Sequence, residues 1–397
     1  MLPVRLLLMC AAVCALAVSQ AAAAAPKTPH TRPPKATAHT AVPSGPGAVF
    51  AKPSSLFLHA PDFSRIKDTD FQPAMAAGRA AQLAEVARIA GNPAAPTFDN
   101  TIVALARSGE QLSRASSVFS ALTQANTNPA LQKIQTEESP KGAAHRDAIV
   151  LNPRLFSRVK AVYDQRERLK LNAEQKQLVK VTYDDFVHSG ANLSPADKVK
   201  LKALNETLSV LGTAFQQKLL AGAKAGGLVI DDKARLAGLS DGQIAALASA
   251  AKARGLDGKW VIPLQNTTQQ PLLKDLADRS LREQLFNAGW TRTERGDAND
   301  TRETIVTLAQ LRADKARLLG HPTYADYVLE TLMAENPAAA EKFMAQLVPP
   351  ARARAAREAA DIQKVIDADG PHFDLKPWDW DRYAERVRLA RYNLSDA

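Results

Sequence analysis

Apolar residues recur every three or four positions along most of this chain, and that period suits amphipathic helices and little else. The plainest case follows Ser194-Pro195, where Leu201, Leu204, Leu208, Leu211, Phe215 and Leu219 share one face. Ser194 offers an N-cap oxygen, Pro195 fits the first helical position, and Asp197 stands at N3 as a capping-box acid. Asn152-Pro153 opens another helix, with Leu155, Phe156, Val159, Val162 and Tyr163 on one side. A third runs from Asp300 through Ile305, Leu308 and Leu311 to Leu319, where Gly320 and Pro322 stop it. Asn336-Pro337 opens a fourth, which Pro349-Pro350 is expected to kink or break. Strand-like runs are confined to Leu228-Val229-Ile230 and Trp260-Val261-Ile262. The expected fold is mainly α, a long-helix array with a small β element.

The first residues follow a different logic. Arg5 precedes an apolar run, Leu6–Val18, that is shorter than the roughly 20 residues a membrane-spanning helix needs. Small residues from Ser19 to Ala25 then offer cleavage frames, so the segment reads as an export signal and not as a stable membrane anchor. Cys10 and Cys14, the only cysteines, lie inside it; Met9 and Val13 before them do not make a lipoprotein box. Cleavage before Pro26 would leave an exported, periplasmic protein without thiols, which must rest on a large packed core. Pro26, Pro29, Pro33, Pro34, Pro43, Pro46 and Pro53 then mark a solvated tether. With 46% hydrophobic and 23% charged residues, the chain is neither disordered nor a multi-span membrane protein.

Chemistry is hard to find. A helix-borne zinc site of the common peptidase kind needs His-Glu-x-x-His, two imidazoles one turn apart with a glutamate to activate water. None of the seven histidines (His30, His39, His59, His145, His188, His321 and His372) is followed by Glu or by His four residues on. His145, His188, His321 and His372 are widely spaced on different expected elements, so no metal site is expected. Ser64-Arg65-Ile66-Lys67 matches Ser-x-x-Lys, but its Ser-Asp-Asn and Lys-Thr-Gly companions are missing. The net charge of +10 is spread along the chain. Arg352, Arg354, Arg357, Arg382, Arg386, Arg388 and Arg391 alternate with Glu358, Asp361 and Glu385, which reads as solvated helix surface and not a nucleic-acid site.

Longer stretches carry a family resemblance. Phe98-Asp99-Asn100-Thr101-Ile102-Val103-Ala104-Leu105 and Ala125-Asn126-Thr127-Asn128-Pro129-Ala130-Leu131-Gln132 resemble the thimet-oligopeptidase family of zinc metallopeptidases. Leu151 to Phe156 and Ala203-Leu204-Asn205-Glu206 continue the likeness. Trp260-Val261-Ile262-Pro263-Leu264, Asn266 to Pro271, Ala288-Gly289-Trp290-Thr291-Arg292, Gly296 to Thr301 and Trp378 to Tyr383 are similar to the bacterial peptidyl-dipeptidase (dipeptidyl carboxypeptidase) branch. The resemblance extends from about residue 57 to residue 397.

It implies helices that wall a deep channel, short peptides as substrates, and removal of dipeptides from peptide C-termini by zinc and a glutamate-activated water. In full-length members the zinc motif follows the Trp378-Asp379-Trp380 region, so the expectation is a chain truncated before that site and inactive alone. No catalytic or metal-ligating residue is assigned, substrate-binding residues are unknown, and zinc belongs to full-length members and not to this chain. Asn126, Asn128 and Asn266 are read as caps and turn formers. The expected organisation is a signal peptide at 1–25, a Pro/Thr/Ala-rich linker at 26–55, a helical region at 56–270 and the start of a peptidase domain at 271–397. A helix after Asp381, with Tyr383, Val387 and Ala390 on one face, is expected to want a packing partner. The alternative is a non-catalytic helical peptide-binding or scaffold protein that has lost the metal domain.

Overall fold

Side-chain oxygens start the long helices by accepting backbone protons that a helix cannot satisfy itself. Asn152 Oδ1 accepts from the N–H groups of Arg154 and Leu155, Ser194 Oγ from Asp197, and Asn336 Oδ1 from Ala339. Asn128 Oδ1 does the same for Leu131. Each cap is followed by proline, whose missing N–H is harmless at that position. A computed structural model describes residues 45–370 and 372–394 of the chain. The expected signal peptide and most of the expected tether lie outside the described residues.

The elements, in chain order, are α1 (Phe71–Ala90), α2 (Glu110–Ala125), α3 (Pro129–Val150), α4 (Pro153–Gln165), α5 (Ala173–His188) and α6 (Pro195–Ala225). There follow β1 (Leu228–Ile230), α7 (Asp241–Lys252), β2 (Trp260–Ile262), α8 (Asn266–Asp275) and α9 (Arg279–Trp290). The last are α10 (Arg302–Leu318), α11 (Tyr324–Leu329), α12 (Pro337–Ala368) and α13 (Trp380–Tyr392). The fold is mainly α. The two strands expected from sequence pair antiparallel, Leu228 opposite Ile262 and Ile230 opposite Trp260. Among the described residues no helix is long and apolar enough to cross a membrane.

Packing proceeds along neighbours: α1 on α2, α4 on α5, α3 on α6, and α6 on α10. Gly78 lets α1 approach α2 closely, because a Cβ there would lie 2.7 Å from Leu112 Cα on α2. The stripe on α6 is half-buried more than buried, with Leu201 at 0% exposure, since α3 and α10 cover it from two sides. One core cluster gathers Ile230, Leu236, Ile262, Leu264, Leu276, Leu281 and Leu285 around the hairpin.

Three expectations meet a different structure. Phe50 lies within the expected tether, yet it is only 4% exposed and stacks 5.4 Å from Phe71, which meets Phe119 at 5.1 Å. Burying such a ring is worth about 1.5–3 kcal/mol, enough to fix the chain around it. Pro349 and Pro350 do not break α12, which runs as one helix from Pro337 to Ala368. Ala345 and Gln346, whose carbonyls lose their intrahelical donors, are exposed, so water supplies the replacement. The face of α13 has a partner: Tyr383 is buried with Ile362 and Ile366 of α12, and Val387 packs on them. Ala390, expected on the same face, is exposed.

Candidate functional site

A cleft of about 350 Å³ opens between α3, α6 and α10, with the end of α5 and α11 at its rim. Asp147 on α3 is 5% exposed and accepts 2.8 Å from Asn205 Nδ2 on α6. Burial pushes its carboxyl above the ordinary 3.8; the Asn205 hydrogen bond and the charges of Lys315, Lys202 and Arg146 offset part of that rise. Lys315 on α10 is pushed the opposite way, chiefly by burial, and Asp147 offsets part of it. Tyr327 on α11, half-buried, has its phenol pushed up to about 12, chiefly by desolvation, and stays protonated. Acid and base are thus both driven toward neutrality in one cleft, a pattern that functional sites and buried bracing networks share. Asn205 Oδ1 is buried without a hydrogen-bond partner.

At the rim of this cleft the fold brings together three residues that sequence spacing keeps far apart. His188 is the last residue of α5, His321 follows the Gly320 turn after α10, and Glu330 caps the end of α11. His188 Nδ1 lies 3.2 Å and His321 Nε2 3.7 Å from Glu330 Oε2. The His188 ring stacks on Tyr327 at 4.0 Å and 7°, and His321 meets the same ring edge-on at 5.4 Å. Their wide sequence separation therefore does not keep the histidines apart, as had been expected: tertiary packing of α5 against the α10–α11 corner joins two of them to a carboxylate.

The remaining described histidines have other partners. His145 Nε2 is 2.7 Å from Gln82 Oε1, and burial lowers its pKa, helped by Arg79. His372 bonds Asp367, and His59 bonds the Ser54 carbonyl. Ser64 donates to Asp62 at 2.6 Å in an exposed turn, the use expected of a Ser-x-x-Lys match without companions. Asn128 is a cap as expected, Asn126 ends α2, and Asn266 begins α8. The arginines at the carboxyl end are paired with acids: Arg354 with Glu358, Arg391 with Asp361, and Arg386 with Asp369.

Sequence reasoning missed the strongest polar network altogether. Asp379, with no exposed surface, accepts from Arg282 Nη2 at 2.8 Å and Arg279 Nη2 at 2.9 Å. Arg282, itself 1% exposed, also donates to the carbonyls of Leu276, Ala277 and Trp378. This fixes the Trp378-Asp379-Trp380 stretch on α9. The available signal was an acid between two tryptophans, a composition that favours burial.

Residues 272–397 match Peptidase family M3. Dipeptidyl carboxypeptidase of Escherichia coli is 49% identical over 348 residues, covering 88% of this chain and 51% of that relative. The chain is similar to this family. The Salmonella typhimurium dipeptidyl carboxypeptidase is 47% identical over 344 residues, 87% of this chain and 51% of the relative. Oligopeptidase A of Escherichia coli is 26% identical over 340 residues, 85% and 50% respectively. Within the M3 family the similarity therefore favours the peptidyl-dipeptidase branch, and the chain spans about half the length of the curated relatives it matches. The zinc implied by the family sits on a His-Glu-x-x-His helix, and no histidine of this sequence is followed by glutamate. The histidines of this sequence therefore do not fit that ligand set or its general base.

Proposed function

We propose that these residues form the helical wall of an exported, zinc-dependent peptidyl-dipeptidase that takes dipeptides from the C-termini of short peptides. The observation carrying this reading is the 49% identity to a dipeptidyl carboxypeptidase across 348 residues. In this reading the substrate channel admits extended chain and excludes folded protein, because a narrow cleft between helices cannot take a globular partner. Hydrolysis relies on a metal-bearing helix that the present sequence does not contain, so the 397-residue chain is inactive alone. The outer part of α12 supports a larger assembly: Phe343, Met344, Leu347 and Val348 are each about half or more exposed, an apolar surface a solitary protein seldom leaves open. Export rests on Arg5 and the apolar run Leu6–Val18.

The test uses peptides blocked at the N-terminus. The chain alone should release no dipeptide. Fused to the segment of the Escherichia coli enzyme outside the aligned 348 residues, it should gain chelator-sensitive release. Dipeptide release by the chain alone, or a folded fusion that trims single residues, would refute the proposal. Mass spectrometry of the envelope fraction should find a mature N-terminus near Pro26; an intact Met1 on soluble protein would remove the export component.

A further inference from the structure

We propose that His188, His321 and Glu330 form a binding site for a divalent first-row cation of the zinc class. Two imidazole nitrogens and a carboxylate are a donor set that zinc accepts readily, with a fourth position left for water. Their spacing already suits one ion. Donors about 2.0–2.1 Å from a tetrahedral zinc lie about 3.3–3.4 Å from each other. The observed separations from Glu330 Oε2, 3.2 Å to His188 Nδ1 and 3.7 Å to His321 Nε2, bracket that value. All three donor atoms lie within 4.8 Å of one another. Small side-chain rotations bring them around a single centre.

Two further features favour a cation there. The donors sit at three helix ends that converge: His188 closes α5, His321 lies just past the end of α10, and Glu330 caps α11. Unsatisfied carbonyls give helix C-termini partial negative charge, and the two long helices, α5 and α10, bring theirs to the same corner. The ring planes are also held before any ion arrives. Tyr327 lies flat against His188 and edge-on to His321, so ordering the imidazoles adds little entropic cost on binding. The histidine side chains are 18% and 21% exposed and Glu330 is 58% exposed, which gives an ion an open path from solvent. Nearby cations work against the site, but Arg146 is engaged with Asp185 at 2.8 Å. Bound metal would staple the end of α5 to the α10–α11 corner.

The competing account is an ion pair between Glu330 and a protonated histidine, with no metal. The test uses the full chain carrying His30→Gln and His39→Gln, so that the amino-terminal histidines cannot contribute. After chelator treatment it is dialysed against Zn²⁺ and the bound metal counted. Co²⁺ substitution, read by visible absorption, reports coordination by nitrogen and oxygen. The expected result is one ion per chain, not displaced by excess Mg²⁺ or Ca²⁺. His321→Gln and His188→Gln should weaken uptake roughly tenfold or more, and Glu330→Gln should weaken it by a smaller factor. His372→Gln should leave it unchanged. If His188→Gln fails to fold by circular dichroism, His321→Gln and Glu330→Gln carry the test. No stoichiometric Zn²⁺ uptake by the parent, or full uptake retained in His321→Gln, would overturn the proposal. Because the readout is metal occupancy, its outcome is independent of any peptidase activity.

Discussion

Replacing Asp379 with alanine should be among the most damaging single changes in this chain. The carboxylate has no exposed surface and is the acid paired with Arg282, whose side chain is 2% exposed. Removing it leaves a buried guanidinium with carbonyl acceptors and no anion, a change that costs about 3–5 kcal/mol in buried pairs. Arg279→Ala makes an instructive contrast. Its side chain is 38% exposed and Asp379 keeps Arg282, so the expected loss is about 1 kcal/mol or less. Arg282→Met should approach the cost of Asp379→Ala, since the carbonyls of Leu276 and Ala277 each lose a buried donor. The Asp379→Ala, Arg282→Met double variant should cost less than the sum of its parts, because each single change strands the other's partner. Urea unfolding followed by tryptophan fluorescence reads all four, with Trp378 and Trp380 flanking the site. A loss for Asp379→Ala within about 1 kcal/mol of the parent, or equal losses for Arg279→Ala and Asp379→Ala, would refute the assignment of a buried charge network.

Two further outcomes follow from the same geometry. The raised pKa of Asp147 means that the folded chain holds this proton more tightly than the unfolded chain does. Relative to Asp147→Asn, the parent should gain stability as pH falls; the gain is complete below 3.8 and lost as pH rises through the raised value. Identical pH profiles of the urea midpoint for the two proteins would remove that reasoning. Brief trypsin digestion should cut first at Lys342, Arg352 or Arg354 on the exposed outer part of α12, ahead of Arg282 and Arg382, which are buried or half-buried. The reverse order of cleavage would contradict it.

What was legible in the sequence is what is local in space. Asn152-Pro153, Ser194-Pro195 and Asn336-Pro337 mark real helix starts because a cap acts on residues two or three positions away. The hairpin strands were equally plain, since β-branched and aromatic residues cluster there between turns. The sites were not legible, for a corresponding reason. Asn205 reaches Asp147 across 58 positions, and His188 reaches Glu330 across 142. No periodicity records such distances. Phe50 shows the same limit in the opposite sense: surrounding prolines made its segment read as tether, while one aromatic ring sufficed to anchor it. The prolines of α12 lie inside one continuous helix, where the residues whose carbonyls lose a donor, Ala345 and Gln346, are exposed to water; sequence spacing does not record that exposure.

The Arg282–Asp379 pair also imposes an order on folding. The two partners are 97 residues apart, so the arginine can approach the hairpin core before its aspartate has closed the intervening chain. During that interval α9 has its apolar side ready for the hairpin core while the guanidinium next to it has no anion to meet. The nascent helix must keep that charge in water, and so cannot settle fully into place. Completion of the hairpin core is therefore tied to arrival of the Trp378-Asp379-Trp380 stretch, which makes this short acidic corner a timing element for the second half of the chain.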